Sequence, residues 1–196
     1  MANPSKAKGD RAERDAVAYL VETVPHLVSV TRPQRKLGAG RAEDTGDLWV
    51  FHDVAVQVRN YDLAAIGRAI RSAAVDAAAQ AANGDQPYAL GMVPVPRAKQ
   101  GTVRWLACVT GWPEPPVREP VHFELVGRML TWLRDDTGPY GYDPRPRTAR
   151  IATLRCTGGD LVWVAPIEAW LETLQLLRAK SEPALAVASQ HLPLAG

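Results

Sequence analysis

The sequence has few of the features that mark secreted, membrane-spanning or zinc-binding proteins. It contains only two cysteines among 196 residues, which excludes a disulfide-rich secreted scaffold. No apolar run approaches the roughly 18–20 residues that cross a bilayer, and the charged first residues do not resemble a signal peptide. The four histidines are scattered, and none has zinc-site spacing with a cysteine. We therefore expect a cytoplasmic protein with no membrane contact.

What the chain does contain is enough apolar material for one folded core. With 46% hydrophobic and 22% charged residues, the composition favours a globular domain over disorder. The length suits a single domain that carries a large insertion. We expect a basic leader over 1–7, a domain over 8–180 with an insertion at about 97–150, and a flexible tail over 181–196.

Basic and acidic residues are nearly balanced in number, 23 against 21, but they are unevenly placed. Residues 1–41 contain eight basic and four acidic side chains, and residues 141–155 contain four arginines and one aspartate. Clustered cations can follow a phosphate backbone, although a solvated surface gives the same pattern. The candidate DNA contacts are Lys6, Lys8, Arg11, Arg32, Arg35, Lys36, Arg41 and Asn60, together with the arginines of 145–155.

Hydrophobic periodicity predicts a mixture of helices and strands, and hence an α/β (α+β) fold. Helices are predicted over 8–22, 62–82, 121–133 and 166–180, the second of them capped by Asp62 and carrying a buried stripe that begins at Leu63. Strands are predicted over 26–31, 47–51, 54–59, 88–95 and 102–110, with a hairpin formed by 151–156 and 161–164. Residues 32–46 are predicted to be a loop.

Polar side chains occur at three places that this arrangement can bring together. Gln57 and Arg59 are two residues apart on one strand, so they share a face. Asp47 opens the neighbouring antiparallel strand and can lie beside them, and Glu13 can reach the same place from the first helix. Each residue also has an ordinary explanation as a solvated surface group or a turn residue, and Asp44 is a rival for the role of Asp47.

The order and spacing of these residues resemble the PD-(D/E)xK nuclease superfamily, most closely the archaeal-type Holliday junction resolvases and their relatives in actinobacterial phages. The resemblance covers about residues 6–95 and 161–178, and 97–150 has no counterpart. It implies a restriction-endonuclease-like core with a mixed central sheet flanked by helices. The matching segments are Lys8-Gly9 with Glu13, Gly46-Asp47-Leu48, and Gln57-Val58-Arg59-Asn60 in place of the family's E-V-K-N.

The resemblance implies a metal-dependent endonuclease that hydrolyses phosphodiester bonds, acting on Holliday junctions or other branched DNA as a homodimer. A phage-encoded member would act in the host cytoplasm. By position, Glu13, Asp47 and Gln57 would bind Mg²⁺ or Mn²⁺, and Arg59 would stand where the family has lysine. Oxygen ligands suit such hard cations, which polarise the scissile phosphate and help to generate hydroxide.

Two departures from the family pattern leave the activity open. Gln57 offers an amide oxygen but no negative charge, and Arg59 stays protonated, so it cannot act as a base. Arg59 can still bind phosphate through two hydrogen bonds. The alternative is a catalytically impaired protein of nuclease fold that binds DNA or serves as an assembly component, with a protein partner contacting 97–150.

Overall fold

The computed structural model describes residues 4–36, 46–95, 103–116, 119–134 and 146–189. Within these ranges the chain forms four helices, α1 (Pro4–Thr23), α2 (Ile66–Asn83), α3 (Val126–Arg134) and α4 (Ile167–Ser189). The same described residues form eight strands, β1 (Gln34–Arg35), β2 (Leu48–Trp49), β3 (Val54–Val58), β4 (Tyr88–Pro94), β5 (Trp105–Val109), β6 (Val121–Phe123), β7 (Ala152–Arg155) and β8 (Leu161–Pro166). Two short 3₁₀ helices span Leu63–Ala65 and Arg147–Ala149.

All eight strands form one sheet in the order β1-β2-β3-β4-β5-β8-β7-β6. The pairs β3–β4 and β6–β7 are parallel, and the others are antiparallel. The helix α2 forms the crossover between β3 and β4, because parallel neighbours need a long connection. The expected α+β class, with a mixed sheet flanked by helices, is therefore confirmed.

Helices cover both faces of the sheet and divide the core in two. Along β3, Val54, Val56 and Val58 pack on the face covered by α1 and α4, where Leu20 and Trp170 are fully buried. The opposite face is covered by α2 and α3. Since side chains alternate along a strand, the intervening Gln57 faces α2.

The helix α2 lies very close to the sheet. A Cβ atom on Gly91 of β4 would come within 2.6 Å of the backbone carbonyl of Ala73 and 2.7 Å of the Cys108 carbonyl oxygen. Glycine at this position, together with small alanines such as Ala73 and Ala77 on the facing side of α2, permits the close approach. The same packing brings two polar residues of α2, Ser72 and Asp76, close to the end of β3.

Several predicted elements are present, but the strand predicted over 26–31 is absent and the helix predicted over 121–133 is partly a strand. Residues 26–31 form a turn and bends, in which Leu27 and Val30 are buried. The β-branched residues of 26–31 predicted a strand, but such residues favour a half-buried surface whether or not the backbone is paired. The first strand is instead β1, inside the predicted loop. The predicted helix over 121–133 divides into the edge strand β6 and the shorter helix α3, so part of the expected insertion completes the sheet.

The ends of the helices also differ from the predictions. The helix α1 begins earlier than predicted, within the expected leader, and α4 continues to Ser189, into the expected tail. Leu63 is 56% exposed in a 3₁₀ turn rather than part of the buried stripe. Asp62 makes no capping hydrogen bond, and instead accepts one from Lys8. Within the described ranges, none of the helices is both long enough and apolar enough to span a bilayer.

Candidate active site

Asp47 is held at the start of β2 by an unusual backbone approach. The preceding Gly46 has φ +109°, and a Cβ atom there would lie 3.0 Å from the carbonyl oxygen of Val56. Glycine is favoured at such a position because it lacks the atom that would clash. The Asp47 amide then donates to the Val56 carbonyl oxygen at 2.8 Å, which fixes the carboxylate beside β3.

The structure brings three of the four predicted catalytic residues together. The Oδ2 atom of Asp47, a side chain that is 6% exposed, accepts hydrogen bonds from the backbone amide of Val58 at 2.9 Å and from Nε2 of Gln57. Arg59 forms an ion pair with the same oxygen, at 3.6 Å from Nη1. The three side chains lie on the α2 side of the sheet.

Gln57 carries the least satisfied polar atom of this group. Its side chain is fully buried, and its Oε1 atom has no hydrogen-bond partner among the described residues. Leaving a buried acceptor unpaired costs roughly 1–3 kcal/mol. Such an atom in a native structure calls for a specific explanation, for example an ion or an ordered water.

Arg59 is shared between two carboxylates. Its Nε and Nη2 atoms lie 3.1 and 2.6 Å from Oδ2 of Asp76 on α2, while Nη1 donates to the carbonyl oxygen of Val58 at 3.2 Å. Ser72 of α2 donates to the same Asp76 oxygen at 3.0 Å. Neither Ser72 nor Asp76 was predicted to belong to the site. The sequence marks them only as two polar residues at i and i+4, which lie on one side of a helix, next to the alanine stripe of α2.

Glu13 lies outside this cluster. It accepts a hydrogen bond from Nε of Arg35 at 2.5 Å, and Arg35 also contacts Asp10 at 2.7 Å through Nη2. Burial acts to lower the pKa of Arg35, but the hydrogen bonds and charges of Glu13 and then Asp10 outweigh it, so the pKa is raised. Because α1 packs against the valine face of β3, Glu13 and Gln57 belong to opposite faces of the sheet.

Many of the candidate DNA contacts are already engaged within the protein. Lys8 binds Asp62 at 2.6 Å, and this hydrogen bond, with the lysine charge, lowers the pKa of the Asp62 carboxyl. The Nζ atom of Lys36 lies 4.9 Å from the ring centroid of Trp49. Among the other candidates, Arg11 and Arg32 are exposed, Asn60 is half-buried, and Lys6, Arg41 and Asp44 lie outside the described side chains.

The residues around Asp47 offer few oxygen ligands for a divalent ion. The part of the chain that the structure describes contains no group of three His, Cys, Asp or Glu side chains able to hold a metal ion. Asp47 and the Oε1 atom of Gln57 nevertheless supply one carboxylate and one unpaired amide oxygen. Mg²⁺ binds proteins through one or two carboxylates and fills its other positions with water and phosphate oxygens.

Both cysteines belong to the core rather than to a reactive site. Cys108 and Cys156 are buried free thiols. Burial, and secondarily the nearby Cys156, raises the pKa of the Cys108 thiol. A thiol in this state is a poor nucleophile.

Comparison with known proteins identifies no relative of this chain. No protein-family model, curated protein or solved structure matches the chain. The nuclease resemblance therefore rests on the motif residues alone.

Proposed function

We propose that the chain is a metal-dependent DNA endonuclease that hydrolyses phosphodiester bonds. The observation that carries this proposal is the buried side chain of Gln57, whose Nε2 atom donates to Asp47 and whose Oε1 atom has no hydrogen-bond partner among the described residues. The Asp47 carboxylate also lies 3.6 Å from Nη1 of Arg59. Asp47 offers oxygen ligands for a hard cation, and Arg59 offers hydrogen bonds to a phosphate group. These two features together suit the hydrolysis of a phosphodiester bond.

The proposed site assigns a distinct task to each of the three residues. Asp47 and Gln57 would hold Mg²⁺ or Mn²⁺, which when bound polarises the scissile phosphate and lowers the pKa of water. The backbone amide of Val58 fixes the orientation of the Asp47 carboxylate. Arg59 donates hydrogen bonds to a phosphate oxygen and stabilises developing negative charge, but it does not accept the proton of the attacking water because it stays protonated.

Branched DNA, such as a Holliday junction, is the substrate class that we propose on the motif resemblance, with a homodimer presenting one site to each of two strands. The exposed side chains of Arg11 and Arg32 are available for phosphate contacts. Both arginines belong to the basic segment 1–41. Such clustered positive charge favours binding to the phosphate backbone of DNA, whatever its sequence.

Substitution of Asp47 tests the proposed site. We expect Asp47→Asn, which keeps the side-chain volume, to reduce Mg²⁺-dependent cleavage of a four-way DNA junction at least 100-fold, because the carboxylate proposed to bind the metal ion is lost. The control is Glu22→Gln, which changes an exposed carboxylate near the end of α1. Circular dichroism establishes that both variants fold. Undiminished cleavage by a folded Asp47→Asn variant would falsify the site.

A second candidate function is DNA binding without catalysis, and the pairing of charges favours it. Arg59 is engaged by Asp47 and Asp76, and Arg35 engages Glu13. Both arrangements neutralise acids without a metal ion. In this case the chain binds junctions in the presence of EDTA, through its exposed cations, or assembles with a protein partner that contacts 97–150.

The double substitution Gln57→Glu with Arg59→Lys separates the two functions, because it restores the family's acid and lysine. If the native chain binds a junction but only the double variant cleaves it, the non-catalytic function is supported. Cleavage by the native chain at a comparable rate contradicts it. Light scattering and pull-down without DNA test the assembly role.

A further inference from the structure

The guanidinium of Arg59 is fixed from the helix side by two residues of α2. Oδ2 of Asp76 accepts from both Nε and Nη2 of Arg59, at 3.1 and 2.6 Å. The Ser72 hydroxyl donates to this oxygen at 3.0 Å and accepts from Nε of Arg59 at 3.3 Å. Three side chains from two elements thus form one closed hydrogen-bonded group.

The opposite edge of the same guanidinium faces Asp47. Its Nη1 atom is 3.6 Å from Oδ2 of Asp47 and donates to the Val58 carbonyl oxygen at 3.2 Å. Arginine has a long side chain with many rotamers, which must be restricted before it can present a fixed charge. The contacts with α2 supply that restriction, and the contact with Val58 supplies a second anchor.

Stability alone is a weak reason for this arrangement. Asp76 is 37% exposed and Arg59 is 29% exposed, and ion pairs at this degree of exposure contribute little to folding because solvent screens them. The contacts act mainly on the orientation of Arg59, since a planar guanidinium held at two edges points in one defined direction. A small error in the position of a group that contacts the reacting phosphate reduces the rate strongly.

We propose that Ser72 and Asp76 are positioning residues that hold Arg59 against Asp47. This inference rests on the proposed endonuclease function. Asp47 and Gln57 would hold the metal ion of the proposed site, and Arg59 would already be oriented toward a phosphate that reached Asp47. The close approach of α2 at Gly91 brings Ser72 and Asp76 within reach of β3, so the packing of an alanine-rich helix sets the geometry of the site.

The variant Asp76→Asn tests this role in the full-length chain. We expect the kcat for Mg²⁺-dependent junction cleavage to fall roughly 10- to 100-fold with little change in KM, because the arginine loses its orientation. Ser72→Ala should give a smaller loss in the same direction, and Asp76→Glu should recover part of the rate. The control is Asp160→Asn, which removes an ion pair to Arg71, another arginine contact of α2.

A nuclear magnetic resonance measurement gives a readout that is independent of cleavage. The Nε–H resonance of Arg59, assigned by its loss in Arg59→Lys, should be protected from exchange in the wild type and unprotected in Asp76→Asn. Wild-type cleavage with an unchanged rate in Asp76→Asn overturns the positioning role alone. Absence of cleavage in the wild type instead overturns the proposed function, so the two failures are distinguishable.

Discussion

At the scale of single residues, the site depends on what surrounds Asp47 rather than on the number of acids. The contact between Asp47 and Gln57 follows from the sequence, since Asp47 opens a strand antiparallel to the one carrying Gln57. Asp76 does not follow from the sequence, because its contact with Arg59 spans the packing of a helix on a sheet. Glu13 was expected near Asp47, yet its carboxylate binds Arg35 on the other face.

Replacing Gln57 with glutamate should make the stability of the protein depend on metal. In Gln57→Glu a second carboxylate is buried beside Asp47, and we expect a loss of about 1–3 kcal/mol of unfolding free energy at pH 7 in EDTA. Repulsion raises the folded-state pKa of the introduced carboxyl above its unfolded value near 4.3, so stability is lost as pH rises. Mg²⁺ should restore it, because the ion binds the folded state.

The control for this experiment is Gln80→Glu. Gln80 is also buried and also has an unpaired Oε1 atom, but it belongs to α2, outside the hydrogen-bonded cluster around Asp47. Thermal unfolding with Mg²⁺ and with EDTA should show a metal-dependent recovery for Gln57→Glu only. An equal shift in both variants, or in neither, would contradict a metal site at Gln57.

At the scale of elements, periodicity was a good guide where a segment has one buried face and a poor one at the sheet edges. The alternating valines of β3 and the alanine stripe of α2 are the clearest cases of success. The turn at 26–31 and the edge strand β6 are the failures. Each contains buried apolar residues, such as Leu27 and Phe123, and burial alone does not distinguish a paired strand from a packed turn.

The packing of α2 on β4 is testable at Gly91. We expect Gly91→Ala to destabilise the protein by about 1–3 kcal/mol, because the added Cβ would overlap backbone atoms of Ala73 and Cys108, which cannot rotate away. The control Gly127→Ala, in α3, has no atom within 4 Å of the added Cβ. It should be neutral or stabilising by about 0.5–1 kcal/mol.

Chemical denaturation of both glycine variants measures the difference between them. A Gly91→Ala variant as stable as the wild type would show that α2 can move away from the sheet at no cost. In that case the helix could not fix Ser72 and Asp76 within hydrogen-bonding distance of Arg59, and the account of how packing shapes the site would be contradicted.

At the scale of the whole molecule, one sheet unites segments that appeared separate in the sequence. The region expected to be an insertion contributes β5, β6 and α3 to the same sheet and core as the motif-bearing strands. The class of fold was predictable because helices and strands alternate along the chain. The strand order was not, because pairing of β6 with β7 joins residues 31 positions apart, such as Val121 and Ala152.

Single-turnover cleavage of a four-way DNA junction by the wild-type chain, with Mg²⁺ and with EDTA, tests the central proposal most directly. A linear duplex of the same sequence serves as the comparison substrate. The proposed function predicts strand cleavage that requires Mg²⁺ and is faster on the junction than on the duplex. An intact junction under both Mg²⁺ and Mn²⁺, or cleavage that continues in EDTA, would contradict it.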